Sequence, residues 1–196
     1  MRTLDPIRVA LARRSPRRLP GAQRAAVAVV LVEDSGGAEL LLIERAERAG
    51  DPWSGHMALP GGRVDRDDRD PQATAERETR EEVGLDLATA EVIGQLDDLA
   101  GGSRVGAALV LSAFVYRLAA RAPLVANHEV RTTLWVPVRT LLDPGHHIGH
   151  PWGPARVPGI LVGEPGRHVV WGLTYRFLDE LFTAAGHPFP RPPATR

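Results

Sequence analysis

The chain has no cysteine among its 196 residues, which excludes a disulfide framework, a thiolate nucleophile and a cysteine-ligated zinc site. It has no lysine either, so its 24 formally basic side chains are all arginines. A phosphate loop completed by lysine and a Schiff-base lysine are therefore both excluded. Charge of one sign is not in excess, because 24 acidic groups balance the arginines. Nothing then attracts nucleic acid or an anionic membrane surface in general. No apolar run approaches the roughly 18 residues that cross a bilayer. These absences leave a domain of ordinary size, read as cytoplasmic, with a small-molecule partner and neither a nucleic-acid nor a membrane partner.

The chemistry is concentrated between Gly61 and Leu85, GGRVDRDDRDPQATAERETREEVGL. Glu78, Glu81 and Glu82 recur at i, i+3 and i+4, so a helix would carry them along one edge. That helix has its own signals. Asp70 suits the N-cap, and Pro71 falls at the first helical position, where its missing N–H costs nothing. Gly84 stands where a left-handed residue would end the helix. Ala75, Thr79 and Val83 form a stripe that can pack on a sheet. Glu82 lies beside the stripe, with Glu78 and then Glu81 progressively further round, at the rim of the packed face. A charged helix is most often a solvated surface, with ion pairs contributing roughly 0.2–0.5 kcal/mol each. Here the rim of acids follows the pair Gly61-Gly62, and clustered carboxylate oxygens suit a hard divalent cation such as Mg²⁺.

Gly61-Gly62 followed by Arg77-Glu78-x-x-Glu81-Glu82-x-Gly84-Leu85 resembles the Nudix box, the motif of metal-dependent hydrolases of nucleoside diphosphates linked to another group. The general pattern places a glutamate at the sixth position after Gly62 and seven residues before the Arg-Glu pair. Here Asp68 stands at that position, eight residues separate it from Arg77, and Thr79 replaces an aliphatic residue. The longer spacing and the acidic loop Asp65-Arg66-Asp67-Asp68 resemble the coenzyme A pyrophosphatase branch. So do Leu40–Arg45 (LLLIER), Gly55-His56-Met57-Ala58-Leu59-Pro60-Gly61-Gly62, and Trp171-Gly172-Leu173-Thr174 before an apolar helix. Asp51 departs from the branch, which has arginine four residues before Gly55, and the spacing back to Arg45 is longer by one; whether nearby Arg48 substitutes stays open. The resemblance covers about residues 25 to 185.

The resemblance implies an α/β fold, a Nudix-type α/β/α sandwich with a mixed β-sheet. It implies hydrolysis of coenzyme A or a derivative to 3′,5′-ADP and 4′-phosphopantetheine, with Mg²⁺ or Mn²⁺ as cofactor. An ADP-sugar, a dinucleotide or a modified nucleotide would keep the same chemistry, and a ligand-sensing domain without catalysis is the reading from another class. A pyrophosphate diester repels incoming hydroxide, and a cation offsets that repulsion and acidifies its bound water. Glu78 and Glu82, one turn apart, are the primary candidate ligands. Glu81 is a further ligand or the base, and both roles stay open. The Gly61 carbonyl is another candidate ligand, because glycine allows close backbone approach. Arg77 is expected to hold the carboxylates through a salt bridge, as in the family. Arg45 and Arg48 are candidates for bidentate phosphate contacts, with Gly62 also on the substrate side. Homodimerisation is common in the superfamily.

The remaining chain reads as strands and turns around this helix. Ala25–Val32 and Glu39–Glu44 form a predicted hairpin about the Glu33–Gly37 turn. Glu91–Leu96, Ala107–Leu118 and Thr132–Val136 are further strand candidates, and Thr174–Ala185 spaces Phe177, Leu178, Leu181 and Phe182 as a helix. Residues 1–24 are expected to be an Arg-rich arm or short helix beside the core, 25–187 the domain, and 188–196 a frayed Pro-rich tail. His146-His147-x-x-His150 has ligand-like spacing but lies among glycine and proline, so a loop role is expected. Gly101–Gly106 reads as a hairpin connection from which Arg104 is a candidate for reaching a substrate phosphate. Trp53 either stacks on an adenine or packs. Asn127-His128-Glu129-Val130 resembles the late loop that supplies an extra acid in the family, which makes Glu129 a candidate ligand or base.

Overall fold

Strand β1 (Gln23–Asp34) is the axis of the molecule, because most of its residues are buried. Its side chains divide by alternation: Ala26, Ala28, Val30 and Val32 enter one apolar layer, Val29 and Leu31 the other. A strand covered on both faces reads as a continuous apolar run, and AAVAVVLV is such a run. The computed structural model describes residues 3–48, 50, 53–101 and 109–190.

β2 (Gly37–Arg45) turns back antiparallel to β1, with Asp34 opposite Gly37, so the expected hairpin is present. The chain continues through β3 (Met57–Ala58) and β4 (Gly61–Arg63) into helix α2 (Pro71–Val83). β5 (Glu91–Gln95), β6 (Leu99–Gly101), β7 (Leu109–Leu118) and β8 (Val130–Pro137) complete a sheet of order β3-β2-β1-β7-β5. β4 is added beside β1, β6 beside β7 and β8 beside β2. β7 runs parallel to β1, from Gln23 opposite Leu109 to Val32 opposite Leu118. The other pairings within the sheet are antiparallel, so it is mixed as expected.

Ala75 and Val83 of α2 close one face of the sheet together with Leu85 and Leu87. The opposite face is closed by α1 (Asp5–Ala12), α3 (Val138–Leu142) and α4 (Gly172–Ala184), through Ile7, Leu11, Leu141, Phe177, Leu178, Leu181 and Phe182. Helix, sheet and helix make the α/β/α sandwich. Among the described residues no helix is long and apolar enough to cross a membrane.

The stretch after α1 is stitched to the sheet. The Arg17 amide donates to Asp97 and the Asp98 amide to the Arg17 carbonyl. Fully buried Asp98 accepts bonds from the Leu19 amide, the Arg24 guanidinium and the Ser112 hydroxyl. At the other end, Phe189 is buried against Tyr175 and Phe182; residues 191–196 lie outside the described residues. A second antiparallel sheet, β9 (His147–Trp152), β10 (Ala155–Leu161) and β11 (Val169–Trp171), was not expected. Its glycines and prolines read as loop, and Pro158 stands in the middle strand, where proline normally argues against a strand.

Candidate functional site

Local signals place α2. Asp70 accepts the Ala73 amide at 2.8 Å, Pro71 opens the helix, and Gly84 ends it in the left-handed conformation. Thr79 is tolerated at a buried position because its hydroxyl donates to the Ala75 carbonyl at 2.7 Å. With the stripe docked, the acids emerge in the expected order. Glu82 is 2% exposed, while the side chains of Glu78 and Glu81 are 17% and 52% exposed.

Arg77 gathers four carboxylate oxygens and the Arg63 carbonyl. Its Nη1 donates to Glu78 at 2.9 Å and to Glu81 at 3.1 Å. Its Nε and Nη2 form a fork on the two Asp68 oxygens, 2.9 Å each. Asp68 also accepts the Asp65 amide and the Thr74 hydroxyl, so it ties the preceding loop to the helix. The Arg77 guanidinium holds the Asp68 carboxyl well below the usual carboxylate range. The aspartate and the longer spacing therefore occur together: a side chain one methylene shorter meets a loop one residue longer. The sequence marks Asp68 as a departure from the general pattern and as part of the acidic loop that resembles the coenzyme A branch, but not as the partner of Arg77.

Glu82 points back under the glycine pair and accepts the Gly61 amide at 2.9 Å. Burial pushes the Glu82 carboxyl up to about 8, the Glu78 charge adds to this, and the Gly61 bond and the Arg45 charge oppose it. Burial also raises Glu78, with Arg77 opposing. Carboxylates crowded at a buried rim repel one another, and their oxygens are the donor type that a hard divalent cation takes. The residues present fit such an ion. Among the described residues no three carboxylate or imidazole groups converge as they stand: Glu78 and Glu81 are turned to Arg77, and Glu82 to Gly61.

Gly62 is where the strand meets the acids. A Cβ there would lie 2.5 and 2.6 Å from the Glu78 carboxylate oxygens. Because the obstacle is the end of a flexible side chain, Gly62→Ala is expected to displace Glu78 without unfolding the chain. Because Glu78 is a candidate metal ligand, turnover is expected to fall about 10- to 100-fold, the range for disturbing the support of such a ligand. The melting temperature should change by no more than a few degrees. Parallel assays of kcat and thermal melting check this, and unimpaired turnover would contradict it.

Arg45, at the end of β2, places its charge on Glu82, and Glu129 places its charge on both Glu78 and Glu82. Arg48 and Glu129 pair at 2.7 Å across the rim. The structure thus brings Gly61, Gly62, Arg77, Glu78, Glu81, Glu82, Arg45, Arg48 and Glu129 to one place. Arg104 and Asp51 lie outside the described residues. His146 and His147 bond the Leu161 and Leu141 carbonyls, and His150 stacks on Trp171. Glu44 escaped sequence reading. It is 1% exposed on β2 beside Arg45, and Arg167 forks onto it at 2.8 and 2.6 Å. The available signal was a carboxylate inside the apolar run LLLIER.

A family model described as NUDIX domain matches residues 22–154. Nudix hydrolase 22, chloroplastic, of Arabidopsis thaliana is 29% identical over 178 residues, spanning 88% of this chain and 57% of that protein. The mitochondrial coenzyme A diphosphatase NUDT8 of Mus musculus is 40% identical over 86 residues, spanning 44% of this chain and 41% of that protein. The chain therefore spans only about half the length of these curated relatives. Among solved structures, a MutT/nudix family protein from Enterococcus faecalis superposes with a TM-score of 0.58 at 20% identity, covering 88% of this chain and 65% of that one. At that identity the likeness shows the fold alone.

Proposed function

The chain belongs to the NUDIX domain family, and from that premise we propose that it is a divalent-metal-dependent pyrophosphohydrolase acting on coenzyme A or a derivative of it. The observation that carries the reading is the buried Glu82, held by the Gly61 amide beside Glu78 and Glu81 on a single arginine. Nudix hydrolases generally use divalent cations, and Mg²⁺ or Mn²⁺ suits these oxygen donors.

Glu78, Glu82 and the Gly61 carbonyl are the groups that would hold the cation. When bound, it neutralises the diphosphate oxygens and lowers the pKa of its water. Glu81, the most exposed of the three helix acids and fastened among the described residues to Arg77, receives the proton of the attacking water. Arg77 keeps Glu78 and Glu81 aligned and ties them to the Asp68 loop. Arg45 and Arg48 meet the diphosphate from the opposite rim, with Glu129 orienting Arg48. Support for the substrate comes from the coenzyme A-type motifs around the box and from the likeness to the mouse diphosphatase.

The test is a hydrolysis panel with each cation, read by mass spectrometry, over coenzyme A, acetyl-coenzyme A, ADP-ribose, NADH, diadenosine polyphosphates and nucleoside triphosphates. Release of 3′,5′-ADP from coenzyme A ahead of every competitor is the expected result. Faster turnover of another diphosphate would overturn the substrate and keep the chemistry. No turnover with either cation would favour a ligand-sensing role.

A further inference from the structure

Three of the four tryptophans of the chain meet on one surface. Trp53 and Trp152 are 44% and 40% exposed. Their rings are parallel within 10°, with centroids 6.3 Å apart. Trp171 lies behind them, 4.5 Å from Trp152. His150 stacks on Trp171 at 5.0 Å, and the edge of His56 approaches it at 4.8 Å. Solvent-facing indoles grouped in this way are costly to leave wet. Two parallel indoles also match a planar ring better than they match a branched aliphatic chain.

The surface is fastened to the candidate phosphate arginines. Gly55 donates its amide to the Arg45 carbonyl and Arg45 its amide to the His56 carbonyl, each at 3.1 Å. The Ser54 hydroxyl bridges the Arg48 amide and carbonyl at 2.9 and 3.0 Å. The turn bearing Trp53 and His56 is thus built on the backbone of both arginines. The other wall comes from the second sheet, and Trp171 lies beyond the segment matched by the family model. Glu44 and the Arg167 fork join that sheet's β10–β11 loop to β2.

We propose that the Trp53–Trp152–Trp171 surface binds the adenine of the nucleotide substrate, stacking the base on the exposed indole faces while Arg45 and Arg48 hold the phosphates. Adenine as the base rests on the coenzyme A reading given above. An adenine nucleotide requires π faces for its base and cations for its phosphates within reach of one another, and the turn that carries Trp53 is bonded to the backbone of Arg45 and Arg48.

The test is quenching of intrinsic tryptophan fluorescence, without added metal, by AMP, ribose 5-phosphate and 4′-phosphopantetheine. AMP should quench, and the two ligands without a base should not. Trp53→Ala and Trp152→Ala, both at exposed positions, should each weaken AMP binding about tenfold, about 1.4 kcal/mol. Trp53→Phe should restore most of that loss. In turnover, the loss should appear in KM more than in kcat. Equal responses to AMP and ribose 5-phosphate, unchanged AMP affinity in both alanine variants, or quenching by 4′-phosphopantetheine instead of AMP would each overturn the proposal. Failure of coenzyme A hydrolysis with AMP quenching intact would remove the substrate reading and leave the base site standing.

Discussion

Replacing Glu82 by glutamine should lower kcat by at least about 100-fold, since disturbing even the supporting residues of a metal site costs about 10- to 100-fold. The fold should survive. Glu82 is buried and its carboxylate accepts the Gly61 amide, a bond that the glutamine carbonyl oxygen can also accept. Without metal, the variant should be at least as stable as the parent above the ordinary glutamate range. The folded-state pKa is raised from 4.5 to about 8, so the folded chain keeps a proton that the unfolded chain releases. Stability conferred by that proton is complete below the unfolded value and is lost as pH rises through the folded one. Glutamine removes this part of the pH dependence. Thermal melts in chelator from about pH 5 to about pH 9, beside turnover assays, check both halves. Full activity in the variant would sink the metal assignment.

Gly61→Ala should fail in a different way, by destabilising the fold itself by about 3 kcal/mol or more. Gly61 has φ +149, a conformation that side chains rarely adopt. A Cβ there would stand 2.6 Å from the Val27 Cα and press on the Ala26 carbonyl. Both obstacles are backbone of β1, whose ladder with β7 runs for ten consecutive pairs. Neither can yield without opening the sheet, whereas the obstacle at Gly62 is a mobile carboxylate. Since a domain is stable by only about 5–15 kcal/mol, the expected loss is a large share of the total. Urea unfolding measures it, and a loss below about 1 kcal/mol would contradict the packing account. Neighbouring glycines thus give separable readouts, stability from one and turnover from the other.

Much of the site was legible because its signals are local. The limits of α2 follow from Asp70, Pro71 and Gly84, and the order of exposure of Glu82, Glu78 and Glu81 follows from helical period alone. The two-faced burial of β1 and the apolar face of α4 were readable for the same reason. The second sheet was not, because pairing between β9, β10 and β11 overrides the loop preference of their glycines and prolines. Asp68 illustrates the intermediate case. Its departure from the family pattern was visible, but its fork with Arg77 spans a loop whose path no local rule sets.

Sequence by itself determined the family resemblance, the limits of helix α2 and the identity of its acids, since these depend on residues within a few turns of one another. Tertiary structure alone decided that Glu82 reaches the Gly61 amide, 21 residues away. It alone joined Glu44 to Arg167 across 123 residues, and brought Trp53, Trp152 and Trp171 onto one surface. Those contacts depend on which sheets pack and in what register, a choice made by burial over the whole chain.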